Sequence, residues 1–297
     1  MVSIKERYYH IATQMVKNSR HAEKITEEST YQESIPENRV LINQILDDLV
    51  LPESSLAHGE NLKELYDRAQ AGESALILME HYSNFDIPCL YYFLERQGEP
   101  GQAIADSIVS MAGMKLNEES SFVRAFSEGY TRIVIYPSRS LDRITDPDKA
   151  AGEQQRARVI NLSALREMVR QKHEGRLILV FPSGTRYRPG EPDTKRVLKT
   201  VDSYIKSFDN MVLIGITGNV LLVNPSGDMT SDYVQEDVVS YAVSPVFRCD
   251  HFRDKVRTSA APEIEAREAV ARAVEAELEK MHNEAERHRQ DGLHARP

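Results

Sequence analysis

The spacing of apolar residues divides the chain into three parts. Residues 1 to about 72 are mostly polar, and their apolar residues recur every three or four positions, which predicts amphipathic helices. One such stripe consists of Val40, Leu41, Ile45, Leu46 and Leu49. Asn38 precedes it at a position where a helix cap is favoured, and a second predicted helix ends at Gly72. We therefore predict a small helical bundle or arm over residues 1–72.

The second part, residues 73 to about 250, alternates short apolar runs with longer mixed segments. Five runs are predicted strands: SALILM, TRIVIY, RLILVF, MVLIGIT and VVSYAV. The segment RVINLSALREMVRQKHEG, between two of them, has the spacing of an amphipathic helix. This succession predicts an α/β domain over residues 73–297, with a largely parallel central sheet flanked by helices. A long charged helix from about residue 261 completes it, and residues 292–297 are expected to fray.

Composition narrows the function classes. The chain has 46 acidic and 37 basic residues and a net charge of −9, which disfavours nucleic acid as a partner. Cys89 and Cys249 have neither the number for a disulfide framework nor the spacing for a zinc site. The first twenty residues lack the apolar core of a signal peptide, and no apolar run is long enough to cross a bilayer. We expect a cytoplasmic protein, at most peripheral at a membrane.

The first candidate for chemistry is the stretch LILMEHYSNFDIPCL, which contains His81 and Asp86. SALILM predicts a buried strand, and IPCLYYFL predicts the start of a helix with Pro88 in its first turn. The pair thus lies in a strand-to-helix turn, where ligands of open α/β sheets bind. There Asp86 can hold one imidazole nitrogen of His81 and leave the other free as a base. Alternatively, Asp86 caps the helix and His81 is a surface loop residue.

The second candidate is the stretch LILVFPSGTRYRPGEPD, residues 177–193. A predicted strand runs into Gly184, which permits a tight turn whose backbone N–H groups face an anion. Arg186 and Arg188 carry forked donors suited to a phosphate, and Lys195, Arg196 and Lys199 add positive charge. The alternative is a solvated loop with basic residues present by chance. The loop lacks the spacing of a nucleotide-binding P-loop.

Together the two stretches resemble the glycerolipid acyltransferases. The first motif of that family is His-x-x-x-x-Asp after a strand, which corresponds here to His81 and Asp86. The third is Phe-Pro-Glu-Gly-Thr-Arg in most members, and Phe181 to Arg186 match it at five of six positions. The departure is Ser183, where membrane-bound lysophosphatidate acyltransferases normally have Glu. The run PSGTRYRP is instead similar to the soluble, plastid-type glycerol-3-phosphate acyltransferases.

The resemblance covers roughly residues 74–247 and implies a fold like that of the glycerol-3-phosphate acyltransferases. It also implies a second motif with basic phosphate ligands, for which Arg139 in TRIVIYPSRSLDR is the best match and Arg143 the next. The set of implied phosphate-binding residues is Arg139, Ser183, Gly184, Arg186 and Arg188. The implied catalytic residues are His81 and Asp86. The implied reaction needs no metal, no cofactor and no covalent acyl-enzyme.

In the implied mechanism, the phosphate of glycerol 3-phosphate binds near the Gly184 turn and places the sn-1 hydroxyl beside His81. His81 removes the hydroxyl proton as the oxygen attacks an acyl thioester, while Asp86 orients the imidazole. General-base catalysis of this kind contributes about 10²–10⁴-fold. Asn84 or the N–H groups of the turn are candidates to stabilise the oxyanion.

Several alternatives stay open from the sequence. The donor is acyl carrier protein or acyl-CoA, and the first requires a basic patch, for which Arg124, Arg132, Arg156 and Arg158 are candidates. A 1-acylglycerol-3-phosphate acyltransferase is the second enzyme candidate, and YYHIATQMV is a weak candidate for its membrane-facing element. A lipid- or carrier-binding module without turnover is a third reading. Ser83 lacks the elbow motif of a hydrolase nucleophile, and the three histidines at 282, 288 and 294 do not share a helix face.

Overall fold

The computed structural model describes residues 2–118, 120–137, 141, 146–224, 228–261 and 263–296. The helices of these residues are α1 (Ile4–Arg7), α2 (Tyr9–Asn18), α3 (Pro36–Leu49), α4 (Glu60–Gln70), α5 (Asp86–Glu95), α6 (Glu99–Ser107), α7 (Lys115–Glu118), α8 (Ser121–Ser127), α9 (Pro147–His173), α10 (Val201–Lys206), α11 (Cys249–Ser259) and α12 (Ala266–His294). The strands are β1 (Val2–Ser3), β2 (Tyr31–Gln32), β3 (Ser55–Ala57), β4 (Ala75–Met79), β5 (Ile108–Gly113), β6 (Arg132–Ile135), β7 (Leu177–Val180), β8 (Asn210–Thr217), β9 (Leu221–Leu222), β10 (Tyr233–Val234), β11 (Ser240–Val243) and β12 (Phe247–Arg248).

The main sheet has the order β2-β6-β5-β7-β4-β8-β11-β3, with β12 paired to β8. The five central strands, from β6 to β8, run parallel to one another. Strand β2 pairs with β6, and β11 and β12 pair with β8, in antiparallel fashion, whereas the edge strand β3 is parallel to β11. The prediction of an α/β fold with a largely parallel sheet is therefore confirmed. A second sheet of short strands has the order β1-β10-β9.

The core lies on both faces of the main sheet. All five residues of β4 are buried, and their side chains alternate between the faces. Ile77 belongs to the apolar cluster that also includes buried residues of α3, α4 and α5. Leu78 belongs to the opposite cluster, which includes buried residues of α9, α10 and α12. A strand covered on both faces is apolar along its length, which explains why SALILM shows no alternation.

The five predicted strands correspond to β4, β6, β7, β8 and β11, and β5 was missed. The segment of β5, IVSMAG, contains Ser110 and ends at Gly113, so it is not a continuous apolar run. The helix predicted at residues 158–175 forms the second half of α9. The C-terminal helix extends to His294, two residues beyond the Gly292 at which fraying was expected.

The prediction that Asn38 caps α3 was wrong. The helix begins at Pro36, and the Asn38 side chain is buried, with its amide donating to the carbonyls of Met15 at 3.2 Å and Ala125 at 2.8 Å. These bonds join α3 to α2 and α8, which the local sequence does not reveal. The division of the chain at residue 72 stays a prediction. In the described part of the first 72 residues, β2 and β3 pair with strands of the main sheet.

The C-terminal helix α12 packs closely on β8. A Cβ atom at Gly215 would lie 2.2 Å from the backbone nitrogen of His282 and 2.3 Å from the carbonyl carbon of Met281. Only glycine permits this approach, because the two backbones leave no room for a side chain. No helix in the described ranges combines the length and the hydropathy needed to span a membrane.

Candidate active site

The two candidate stretches lie side by side at one edge of the sheet. Strands β4 and β7 are parallel neighbours, with Leu78 paired to Val180. His81 follows the end of β4, and Phe181 follows the end of β7. Because parallel strands have their carboxyl ends at the same edge, the register brings both loops together.

His81 and Asp86 form the hydrogen-bonded pair that their spacing allowed. Nδ1 of His81 lies 2.8 Å from Oδ2 of Asp86. The His81 side chain is 16% exposed and that of Asp86 only 5%. A carboxylate at Nδ1 favours the tautomer whose proton is on that nitrogen, so Nε2 is free to accept a proton. The pair has the arrangement of a general base and the group that orients it.

The turn between them is held by the same carboxylate. Oδ2 of Asp86 also accepts from the backbone N–H groups of Tyr82 at 2.6 Å and Ser83 at 3.0 Å. Oδ1 accepts from the Ser83 hydroxyl at 3.1 Å, and that hydroxyl in turn accepts from the N–H of Phe85. Asp86 therefore folds the turn and orients His81 at once. The Ser83 hydroxyl is engaged in the turn and buried, which disfavours a role as nucleophile.

The loop after β7 contacts the other face of the histidine. The Phe181 ring stacks on the His81 imidazole with centroids 3.8 Å apart and planes 8° from parallel. The N–H of Tyr187 donates to the His81 carbonyl at 2.8 Å. The imidazole is thus held by a carboxylate at its edge and by an aromatic ring on its face, which restricts its rotation.

A cavity of about 150 Å³ opens beside His81. Ser183 and Tyr187 line one side of it, and Glu275 and Glu279 of α12 line another. The sequence did not indicate that α12 reaches this site. A polar cavity beside a base is suited to a small hydrophilic acceptor.

A second cavity, which is mainly apolar, is lined by other residues of the His81–Asp86 turn. Asn84 and Phe85 line it from the turn, Ile87 lines it from α5, and Ile4 lines it from α1. Phe122 and Phe126 of α8 also contribute. The turn therefore separates a polar space from an apolar one, an arrangement that suits two substrates of opposite polarity.

Residues 57–201 match the family model described as Acyltransferase. This region is therefore similar to the acyltransferases. It contains both stretches, from His81 to Asp86 and from Phe181 to Arg188, so the match covers the whole turn and loop described above. It supports acyl transfer as the type of reaction. A comparison with curated proteins gave no match for the chain.

The predicted phosphate ligands lie in different surroundings. Gly184 has a φ of +66° and its N–H donates to the Phe181 carbonyl, so the tight turn is present. The Ser183 hydroxyl donates to the Thr185 carbonyl at 2.8 Å. Arg139 and Arg143 lie outside the described residues. The role of each as a ligand stays a prediction.

The two arginines of the loop differ in their partners. The Arg186 guanidinium donates to Asp232 at 2.6 Å, and its side chain is 12% exposed. Arg188 is 39% exposed and lies 3.7 Å from Glu191. Arg186 is therefore fixed in direction by a buried carboxylate, whereas Arg188 is free to reorient toward an anion.

Glu80 was missed by the sequence interpretation. This buried carboxylate immediately precedes His81 and accepts from the Tyr82 hydroxyl at 3.0 Å and from the N–H of Ile216 at 2.9 Å. Nδ1 of His282 lies 2.9 Å from it, and Nζ of Lys195 lies 3.5 Å away. Burial, together with the Glu80 charge, raises the pKa of the Tyr82 hydroxyl well above its usual value. A glutamate at the end of an apolar strand was the available signal, because an ionised side chain is rarely buried without partners.

The arginines considered as a basic patch for a carrier protein lie in different surroundings. Arg132 lies on β6 and is only 2% exposed, and burial lowers its pKa to about 10. Arg124 is 14% exposed and lies 3.6 Å from Glu23. Arg156 is engaged with Glu118. The sequence did not reveal which of these arginines are buried.

Proposed function

We propose that the protein transfers a fatty acyl group from an acyl thioester to the sn-1 hydroxyl of glycerol 3-phosphate. The observation that carries the proposal is the His81–Asp86 pair between a polar and an apolar cavity. The polar cavity takes the acceptor, and the apolar cavity takes the acyl chain. Such a separation brings the hydroxyl and the thioester carbonyl together at the turn.

In the reaction, Nε2 of His81 accepts the hydroxyl proton as the acceptor oxygen attacks the thioester carbonyl. The oxygen–carbon bond forms first, and the carbon–sulfur bond breaks as the tetrahedral intermediate collapses. The imidazolium returns its proton to the departing thiolate, so the enzyme ends unchanged. Asp86 stabilises the imidazolium through the Nδ1 contact of 2.8 Å. Asn84, which lines the apolar cavity next to the turn, is the proposed donor to the oxyanion.

The acceptor phosphate is proposed to bind at the turn of Ser183 and Gly184. Lys195, which lines the polar cavity, supplies a positive charge there. Arg186 and Arg188 extend the site along the loop, and Arg139 is retained as a further candidate. Three glutamates, Glu80, Glu275 and Glu279, also line this cavity and outnumber Lys195, so we expect the acceptor phosphate to bind weakly.

One observation favours the second enzyme candidate, a 1-acylglycerol-3-phosphate acyltransferase that makes phosphatidic acid. Val2 is 50% exposed and Tyr9 64% exposed, while Ile4 between them lines the apolar cavity. An exposed apolar segment next to that cavity suits a substrate delivered from a membrane surface. The acceptor with one acyl chain would then bring its chain past α1.

The test is acyl transfer by the purified protein. Glycerol 3-phosphate and 1-acylglycerol 3-phosphate are each offered with acyl carrier protein and CoA thioesters, with a His81→Ala variant in parallel. Transfer to glycerol 3-phosphate that falls about 10²–10⁴-fold in the variant supports the proposal. Transfer only to the lysophospholipid moves the protein to the second candidate.

His282→Ala serves as the matched control, because it removes an imidazole from the surroundings of the site and leaves the proposed base intact. We expect it to retain most of the activity. No transfer to either acceptor by a folded protein would refute the proposal and favour the binding module without turnover.

A further inference from the structure

Three side chains capable of binding a metal converge away from His81. His58 lies between β3 and α4, and Glu284 and His288 lie on the last turns of α12. One ligand atom from each residue lies within 4.8 Å of the others. Glu284 and His288 are four residues apart on one helix, so they project from the same face.

Two of the three distances between ligand atoms are close to those of a tetrahedral zinc site, and the third is at most 4.8 Å. Oε1 of Glu284 lies 3.6 Å from Nε2 of His58 and 3.5 Å from Nε2 of His288. Ligands about 2.0–2.1 Å from a central zinc ion lie roughly 3.3–3.4 Å apart in a tetrahedron. Only small rotations of the side chains are needed to place an ion between the three atoms. Imidazole nitrogen and carboxylate oxygen are both common zinc ligands.

The surroundings of the three residues complete the site. Nδ1 of His58 lies 3.5 Å from Oε1 of Glu60, so a carboxylate faces the ring nitrogen that does not face the cluster. Metal-binding histidines are commonly oriented by such a partner. The second oxygen of Glu284 is engaged by Arg287, which leaves Oε1 for the ion. His58 is 45% exposed and His288 40%, so an ion has access from solvent.

We propose that His58, Glu284 and His288 bind one Zn²⁺ ion that joins α12 to the segment between β3 and α4. A water would complete the coordination, because among the described residues the cluster consists of these three. The proposed role of the ion is to hold these two segments together, and the cluster supplies no residue to the transfer proposed above. The cluster is connected to the polar cavity through α12, because Glu275 and Glu279 of the same helix line that cavity.

The experiment uses the untagged, full-length protein after removal of metal with a chelator. Zinc uptake is measured by competition with a chromophoric chelator, and thermal unfolding is followed with and without Zn²⁺. We expect one ion per chain and a rise in the unfolding temperature. Affinity falls at least about tenfold in His58→Asn and His288→Ala. Asparagine is chosen at position 58 because His58 has a φ of +58°, a conformation that asparagine tolerates.

His294→Ala is the matched control, since it removes an exposed histidine from the same helix. It should bind zinc as the unaltered protein does. The proposal is overturned if the unaltered protein binds no more zinc than the His288→Ala variant, or if His294→Ala loses zinc to the same extent. The readout is metal binding, so its failure would leave the proposed acyl transfer untouched.

Discussion

The replacement of Asp86 by asparagine tests the central pair without changing its size. Oδ2 of Asp86 accepts three N–H groups, whereas Oδ1 accepts only the Ser83 hydroxyl. An asparagine can place its amide oxygen where Oδ2 lies and direct its NH₂ group to the Ser83 hydroxyl, which can accept. The turn should therefore persist, while the negative charge beside His81 is lost.

The expected loss follows from that charge. The facing nitrogen and oxygen are 2.8 Å apart, and the charge centres of the imidazolium and carboxylate are about 4 Å apart. Two unit charges at that separation interact by about 4 kcal/mol at an effective dielectric constant of about 20, which corresponds to about 10³-fold in rate. Because the proton is only partly transferred in the transition state, we expect a fall of about 10²-fold in kcat. The KM for the acceptor should stay nearly unchanged.

The assay compares Asp86→Asn with Ser83→Ala in steady-state transfer and in thermal unfolding. Ser83→Ala removes the bond to Oδ1 and leaves the contact with His81, so it should lose stability and keep turnover within about threefold. Buried N–H groups left unpaired cost about 1–3 kcal/mol. If Asp86→Asn retains more than about a third of the turnover, the charge does not assist His81. Equal losses of turnover and of stability in both variants would also contradict the reasoning.

Three further predictions concern packing, pH and chain length. Gly215→Ala should destabilise the fold by about 1–3 kcal/mol or more in denaturant unfolding, because its Cβ would overlap the backbone of α12. The control Gly152→Ala, whose added Cβ would meet no atom of another described segment within 4 Å, should raise the free energy of unfolding by about 0.5–1 kcal/mol. The backbone N–H and then the hydroxyl of Ser74 donate to Asp209 and lower the pKa of its carboxyl. The stability that the Asp209 carboxylate contributes is present above its unfolded pKa of about 3.9 and is lost as the pH falls through the lower folded value. Asp209→Asn should therefore be less stable than the unaltered protein at pH 7, and the difference should close below about pH 4. A difference that stays constant with pH would contradict this. Ala112→Phe, which narrows the apolar cavity, should shift transfer toward shorter acyl thioesters, and an unchanged chain-length profile would argue against that cavity as the acyl site.

The sequence alone determined the central part of the fold and the two stretches proposed to carry the chemistry. Continuous apolar runs identify β4, β7 and β8, because strands covered on both faces need apolar residues at every position. The position of the His81–Asp86 pair after a predicted strand also placed it in a strand-to-helix turn. These inferences succeeded because each depends on residues close together in the chain.

The residues that surround His81 were beyond such reasoning. Glu80 contacts His282, which lies 202 positions later in the chain. Glu275 lines the same cavity as His81. Arg132 was a candidate for a basic surface patch because it is charged. Its burial depends on the packing of the strand on which it lies. Asn38 likewise donates to carbonyls of α2 and α8 and does not cap its own helix.

The periodicity and the motifs of the sequence determined an α/β sheet, a His–Asp turn and a glycine turn beside it. Only the tertiary structure decided that α12 closes the polar cavity, that an apolar cavity lies behind the turn, and that His58 meets Glu284 and His288. The physical reason is the range of the interactions. Local patterns reflect the geometry of one element, whereas contacts between distant elements depend on close packing, as in the approach of α12 to Gly215, that no single segment encodes.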